Sequence, residues 1–429
     1  MGRRKRGTAV IVVGLAVACT QAPSRSTAER SVAAKPTKAS EDDHAAPVAG
    51  RVTQSPVAGE LDVSSTHACL LTRGGELWCW GENRLGQLGV RGARRMPVRA
   101  PIPQAIADVA LGFRFTCVCD GQGSVYCWDN RNYAPAQQEL PARPRPVAVA
   151  PCRAVVAGGL YACALSRDGT VDCWGQWPRP AWPPSLAAAS TNPRGDLAWH
   201  DDPMTVQGLA RVLTLVAGQS HVCAIDADWK LYCWGDNELG QLSDGVVRGH
   251  VVEVPLEHVV DVAVGSEETC AQSTAGLSCW GRDPVAVCPI VCPPAAPGLL
   301  LPCRRGMPVS VTGVPGVTGP RAGLLDTCGL TSTGDLVCWG MRWSQPSRTR
   351  RPRPREPTVD GRGVVTFDIE GDSGCLLNEQ GEVRCWGPIL GAPWWRDGSG
   401  HRVPDELLSP PGAVVLEIHG DHVEPRELP

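Results

Sequence analysis

Phenylalanine and tyrosine are almost missing from this chain, at 3 and 4 copies in 429 residues, and charged side chains make up only 20% of it. Aromatic packing therefore falls to tryptophan, of which there are 15. Long apolar runs are missing too. The one near the start, from about Thr8 to Ala18, is shorter than the roughly 20 residues a helix needs to cross a bilayer. The basic excess of a nucleic-acid binder is absent, since 41 Lys and Arg face 44 Asp and Glu, so no nucleic-acid partner is expected. There is no nucleophile elbow, phosphate-binding glycine loop, His-Glu-x-x-His pair or kinase-like motif set, and no two carboxylates that a repeating frame would bring together. These gaps argue against an enzyme, and no catalytic residue, cofactor or metal site is assigned.

What is abundant is glycine at 48, proline at 39 and cysteine at 20, the composition of a turn-rich β protein. The first residues read as an export signal, with Arg3, Arg4, Lys5 and Arg6 ahead of the apolar run and Cys19 behind it. The stretch Leu15-Ala16-Val17-Ala18-Cys19 resembles a bacterial lipobox, in which the cysteine is diacylated and becomes the new N-terminus. Ala16 departs from the large aliphatic residue usual there. Residues 1–18 are thus expected to be a lipoprotein-type signal peptide, and Cys19 the lipidation site that fixes the chain to a bacterial membrane, the outer one, on its extracytoplasmic side. Acyl chains in pairs or threes anchor stably where a single one does not. Loss of the signal leaves 37 basic against 44 acidic residues. Residues 19–50 are rich in Ser, Thr, Ala, Pro and Lys and form a disordered tether spanning roughly 30 Å.

Seven times from there on, the chain sets one cysteine, a short turn-like stretch, and a second cysteine followed by tryptophan. The couplets are Cys69 with Cys79, Cys117 with Cys127, Cys163 with Cys173, Cys223 with Cys233, Cys270 with Cys279, Cys328 with Cys338, and Cys375 with Cys385. The unit is near 47 residues, with insertions at about 176–206 and 282–307. If Cys69 opposes Cys79 on antiparallel strands, Leu70 pairs with Trp78 and Leu71 with Leu77, leaving Arg73-Gly74-Gly75 as a three-residue loop that wants glycine last. Gly123, Gly169, Gly334 and Gly381 hold that place elsewhere; Trp229 holds it in the fourth copy, whose turn is expected to be built differently. In the fifth copy the cysteines are nine apart, which fits a two-residue loop, Thr274-Ala275, with the register kept. Directly opposed residues at a non-hydrogen-bonded site suit a disulfide, so seven cross-strand disulfides are predicted. Cys119, Cys152, Cys288, Cys292 and Cys303 remain, from which one bridge inside the fifth insertion and a free, buried Cys119 are expected, with a zinc site as the alternative.

A β-like stretch lies upstream of each hairpin, closed by glycine in five copies, as in Asp108–Gly112 or Asp261–Gly265, and by Ser64 and Glu370 in the other two, and proline-containing pieces such as Pro97-Val98, Pro255-Leu256 and Pro308-Val309 suit an edge strand. Four short strands per unit make a propeller blade. The runs His67-Ala68-Cys69-Leu70-Leu71 and Cys79–Gly89, with Cys233–Leu242, resemble the regulator-of-chromosome-condensation repeat over roughly residues 51–425. The resemblance implies an all-β, seven-bladed propeller of four-stranded antiparallel blades, its ring closed by N- and C-terminal strands. Val414–His422 is expected to seal it beside Leu61-Asp62-Val63, leaving residues 426–429 as a tail.

Trp residues that recur after each second cysteine are expected to pack between blades. The irregular aromatics and arginines are instead the partner-binding candidates, because binding residues gather on loops of a rigid scaffold. They are Trp177, Trp182 and Trp199, then Trp343, Arg348, Arg350, Arg351 and Arg353, and finally Trp394 and Trp395. His419, Asp421 and His422 read as an ordinary turn. The function expected is a monomeric, lipid-anchored scaffold that binds a protein partner in the cell envelope. The alternatives are a cell-envelope glycan, read by the extra tryptophans, and the guanine-nucleotide-exchange or β-lactamase-inhibitor activities that the resemblance implies.

Overall fold

Each cysteine couplet forms the middle hairpin of a small antiparallel sheet. The computed structural model describes residues 59–83, 85–90, 97–129, 143–178, 197–244, 251–282, 304–311, 313, 314, 316–324, 326–342, 353–371, 373–386, 414–419 and 422–427. The second strands of the seven blades are His67–Thr72, Phe115–Asp120, Tyr161–Ser166, His221–Asp226, Glu268–Ser273, Asp326–Thr331 and Ser373–Asn378. The third strands are Leu77–Gly81, Val125–Asp129, Val171–Pro178, Leu231–Gly235, Gly276–Arg282, Leu336–Arg342 and Val383–Trp386. In every blade the two cysteines are directly opposed, Leu70 meets Trp78 as expected, and Ser273 meets Gly276 across the two-residue loop of blade 5. All seven cross-strand disulfides are formed, with Cα atoms 4.0 to 4.1 Å apart. An eighth joins Cys119 in blade 2 to Cys152 in blade 3 at a Cα separation of 6.1 Å, so Cys119 is not free. Cys288, Cys292 and Cys303 lie outside the described residues.

The inner strands, Gly59–Val63, Ile106–Leu111, Cys152–Ala157, Val212–Ala217, Val259–Val264, Val317–Ala322 and Val364–Glu370, each pack against the next, and the seventh packs against the first, so the ring is closed. Outer strands are Val98–Arg99, Arg145–Val147, Leu197–Thr205, Val252–Glu253, Arg304–Ser310 and Arg353–Gly361. The first six sheets are four-stranded, and the seventh has three described strands. Pro97-Val98 and Pro308-Val309 fall at outer strands as expected, whereas Pro255-Leu256 follows one. Between the sheets sit the tryptophans: Trp128 packs with Leu88 of blade 1, Trp234 with Cys163 of blade 3, Trp280 with Cys223 of blade 4, and Trp80 with Leu377 of blade 7 across the seam.

The glycine that stands ahead of the first cysteine in five of the seven copies has a steric cause. A Cβ on Gly265 would stand 2.6 Å from the carbonyl oxygen of Gly323 in the next blade, and Gly323 is in turn crowded by the Gly371 carbonyl. This close approach lets the rims bond to one another: Phe113 N–H to Gly159 O at 3.1 Å, Gly159 N–H to Gln219 O at 2.9 Å, Ser266 N–H to Gly323 O at 3.1 Å, and Leu324 N–H to Gly371 O at 3.1 Å.

Two expectations are corrected. Trp229 occupies the left-handed region itself, at φ 59, and its N–H bonds to Asp226 O at 3.1 Å just as Gly75 N–H bonds to Thr72 O at 3.0 Å, so the fourth turn is the same turn. The side chain of Asp226 holds it, accepting from the N–H groups of Asp228 and Lys230 at 2.9 and 3.0 Å. The C-terminal strand does not seal blade 1: Val414–His419 pairs with His422–Glu427, and the seam is made by the inner strands Gly59–Val63 and Val364–Glu370.

Because a methyl group at Gly265 would meet backbone rather than a flexible side chain, Gly265→Ala should destabilise the protein by about 1–3 kcal/mol. A fall in the urea midpoint at unchanged slope is the expected outcome; an unchanged midpoint would mean that the blades are not in contact there.

Candidate functional site

Strands alternate in direction within a blade, so the inner-to-second and third-to-outer connections leave on one face and the second-to-third turns on the other. The second face carries short connections alone, the second-to-third turns and outer-to-inner links of two to six residues. The first carries the sequence irregularity and is the candidate binding face. In blades 3, 5 and 6 the third and outer strands run past the disulfide as longer hairpins, after a register shift that begins at the second cysteine in each case. Trp177 and Trp199 stand one row apart in the backbone register of the first of these, Gln176 opposing Trp199 and Trp177 opposing Ala198. Arg353 opposes Arg342 in the third. Trp182, Trp343, Arg348, Arg350, Arg351, Trp394 and Trp395 lie outside the described residues, as do Cys19, the signal segment and the tether.

Copies 1 and 4 keep a full loop after the third strand because that loop serves the next blade. Asn83 Oδ1 accepts from Leu88 N–H at 2.9 Å and Gln87 Oε1 from Leu85 N–H at 3.0 Å, which turns the Gln87 carbonyl toward blade 2. There it accepts from Thr116 Oγ1 at 2.8 Å and Trp128 Nε1 at 2.7 Å. Blade 4 repeats the arrangement: Gln241 O accepts from Thr269 Oγ1 at 3.0 Å and Trp280 Nε1 at 2.7 Å. Since both threonines donate to a carbonyl, His67 Nε2 and His221 Nε2 must donate to them, each at 2.8 Å. Burial keeps both imidazoles neutral, with pKa values pushed down to about 3. Trp234 and Trp339 follow blades without this loop, and their indole N–H groups have no hydrogen-bond partner among the described residues.

The central channel overturns the expectation that no carboxylates come together. Asp62, Asp108, Asp261 and Asp368 sit on inner strands, each reaching the backbone of the following blade. Asp368 Oδ2 accepts from Val63 N–H at 2.7 Å, Asp62 Oδ2 from Leu111 N–H at 3.0 Å and Asp108 Oδ2 from Val155 N–H at 2.7 Å, while Asp261 accepts from Gly319 N–H. The carboxyls of Asp62 and Asp368 also hydrogen-bond one another across the seam. A signal was present in the sequence: each of the four is followed by Val or Ile, as Asp62-Val63, Asp108-Val109, Asp261-Val262 and Asp368-Ile369.

Burial, and then the charges of Asp368, Glu60 and Asp108, hold the Asp62 carboxyl well above its ordinary range; burial followed by Glu60 does the same at Asp108. Asp368 is pushed up to about 6 by burial, restrained by Arg321, whose Nε lies 3.7 Å from Oδ1. Burial and the neighbouring Asp368 raise Glu370 to about 8. These groups bind protons more readily in the folded chain than in the unfolded one. Their stabilisation is therefore complete below the ordinary carboxylate values of 3.8 and 4.5, and is lost as pH rises through about 6 at Asp368 and about 8 at Glu370. Asp168 and Glu382, whose carboxyls are lowered by hydrogen bonds, are ionised in both states over this window, whereas His67 and His221, held neutral by burial, oppose the trend below about pH 7, where the unfolded imidazoles gain protons. Stability should therefore fall by on the order of 1 kcal/mol between about pH 7.5 and 9.5, above the histidine range, and Glu370→Gln should flatten that fall. Denaturant midpoints across pH check this, and stability rising toward alkaline pH would contradict it.

Residues 61–87 and 212–241 match the Regulator of chromosome condensation (RCC1) repeat family. The chain is 26% identical over 258 residues to the human E3 ubiquitin-protein ligase HERC2, covering 53% of this chain and 5% of that protein. It is 29% identical over 237 residues to the Bos taurus secretion-regulating guanine nucleotide exchange factor, covering 50% of each. The chain thus spans half the length or less of these two relatives. Among solved structures, Saccharomyces cerevisiae Prp20p superposes with a TM-score of 0.59 at 18% identity, covering 73% of this chain and 80% of that one. Human WBSCR16 superposes at 0.55 and 17% identity, covering 73% and 85%. These two likenesses establish the fold.

Proposed function

We propose that this chain, a protein built of regulator-of-chromosome-condensation repeats, is a protein-binding scaffold that holds its partner on the face where the third-to-outer connections leave the ring. One observation carries the reading: the two faces differ in kind. On one, the seven second-to-third turns are two or three residues long and nearly interchangeable; on the other, the connections differ from blade to blade in length and in Trp and Arg content. A rigid ring with variable loops on one side is the arrangement of a recognition surface. The relatives support the reading by their kind, one being a guanine nucleotide exchange factor and Prp20p being a protein with binding properties to Gsp1p and histones.

Cys19 is read as a lipidation site and the propeller as extracytoplasmic. The lipobox-like Leu15–Cys19 supports this, and so do the eight disulfides among the described residues, since such bonds persist in oxidising compartments. In this reading residues 1–18 are removed and 19–50 tether the ring to the membrane.

The test is capture from envelope extract by the mature, oxidised chain, run beside a variant in which residues 343–352 are replaced by Gly and Ser, with labelled palmitate followed in the full-length chain. A protein captured by the parent and lost by the variant, with palmitate incorporation abolished by Cys19→Ala, is the expected outcome. Capture of glycan alone would replace the protein-binding reading, and unlabelled parent chain would remove the anchor.

A further inference from the structure

The row of residues that closes each inner-to-second turn reaches toward the next blade, and at the seam its polar groups find no partner. In blade 1 the row is Ser64 and His67: Ser64 Oγ lies 2.9 Å from His67 Nδ1, and His67 Nε2 donates to Thr116 Oγ1 of blade 2 at 2.8 Å. His221 meets Thr269 in the same way, Glu268 accepts from Thr327, and Phe115 of blade 2 packs among apolar side chains that include Ala162. In blade 7 the row is Glu370 directly opposite Ser373. Both side chains lie on the face of the sheet that Asp368, two residues before Glu370, presents to Val63 of blade 1. The residue of blade 1 in the place of Thr116 and Thr269 is Ala68, which has no polar side-chain atom. Ser373 is 1% exposed, and its Oγ has no hydrogen-bond partner among the described residues. Glu370 is partly exposed and no hydrogen bond holds its carboxyl there; its charge acts on the Tyr161 hydroxyl of blade 3, which places it at the channel. The rim is also unbridged at this point. Backbone bonds run from Ser266 to Gly323 and from Leu324 to Gly371, but among the described residues none joins Gly371 to blade 1.

We propose that this row is a socket for one lysine side chain of the protein partner, whose ammonium enters from the candidate binding face and sits between the Glu370 carboxylate and Ser373 Oγ. This rests on the protein-binding reading above and deepens it. The row lies at the end of the channel where the inner-to-second turns leave, the end that shares a face with the divergent loops. A carboxylate with one hydroxyl beside it is a compact set of acceptors, which suits the three donors of an ammonium better than the broad planar fork of a guanidinium. A metal ion fits less well, because among the described residues no three His, Cys, Asp or Glu side chains converge as ligands. Arg321 pairs with Asp368, 3.7 Å from its Oδ1, rather than with Glu370, so it does not fill the socket. The other ionisable groups around the row are Asp368 on its own strand, Asp62 and Glu60 on the inner strand of blade 1, and Tyr161 in blade 3.

The experiment measures, by fluorescence anisotropy, binding of a labelled oligolysine peptide to the mature chain and to its Glu370→Gln and Ser373→Ala variants. Calcium chloride is the competing probe, and the unfolding midpoint of each protein is recorded. Burial and the charge of Asp368 hold the Glu370 carboxyl at about 8, so it is mostly protonated at about pH 7 and mostly ionised at about pH 9, while lysine keeps its charge at both. The expected result is peptide binding that tightens about tenfold from the lower pH to the higher in the parent, the ratio of ionised carboxyl at the two. Glu370→Gln should lose that tightening. Ser373→Ala should bind the peptide more weakly, with a midpoint equal to or above that of the parent because a buried hydroxyl without a partner has been removed. Equal tightening in Glu370→Gln, unchanged binding or a lower midpoint in Ser373→Ala, or displacement of the peptide by micromolar calcium would each overturn the proposal. Capture of the envelope partner undiminished by both substitutions would also overturn it while leaving the protein-binding reading intact.

Discussion

The cross-strand cysteine pair is the constraint on which the rest of this structure depends. With Cα atoms 4.0 to 4.1 Å apart at each couplet, a disulfide fixes which residues of the second and third strands oppose one another. That choice sends the tryptophan after the second cysteine toward the preceding blade and leaves the turn residues at one end. Closing so short a loop removes about 2–3 kcal/mol of chain entropy from the unfolded state in the simplest account. In a chain with 3 Phe and 4 Tyr, where each sheet is thin, covalent closure offsets what a larger aromatic core would otherwise supply.

Between blades the devices change. Tryptophan packing recurs around the ring, but the polar links are individual. Blades 1 and 4 lend a glutamine carbonyl to the next blade, blade 5 receives Thr327 Oγ1 at Glu268 Oε1 at 2.7 Å, and Tyr161 Oη donates to Gly218 O at 2.7 Å. His67, Tyr161, His221 and Glu268 all stand two residues before a first cysteine, so one repeat position serves four of the junctions with different chemistry. At the seam, Asp368 reaches Val63 and the carboxyl of Asp62. The first and last blades are thus held by buried acids and by the Trp80 contact with Leu377.

Local pattern made the hairpins legible: two cysteines ten apart, with glycine at a fixed place between them, leave one consistent register. The same pattern misjudged Trp229, because a side chain there was weighed against glycine without the Asp226 side chain and the bond from Val259 N–H to Trp229 O at 3.0 Å that hold the turn. The channel acids were missed for a different reason. Val63 and Asp368 lie 305 positions apart, and only closure of the ring sets them side by side. Cys119–Cys152 was equally hidden, since spacing does not reveal which odd cysteines pair across blades. The loop candidates follow no repeat, so composition singled out Trp177 and Trp199, and only strand register placed them in neighbouring rows of one hairpin.

A ring fixed from within can let its loops diverge freely, and so the third-to-outer connections differ from blade to blade while the second-to-third turns do not. The most direct test of this account is disulfide mapping by mass spectrometry on the oxidised, mature chain. It predicts seven linked pairs within hairpins, from Cys69–Cys79 through Cys375–Cys385, and an eighth joining Cys119 to Cys152. Free thiols at these positions, or links joining one couplet to another, would contradict it.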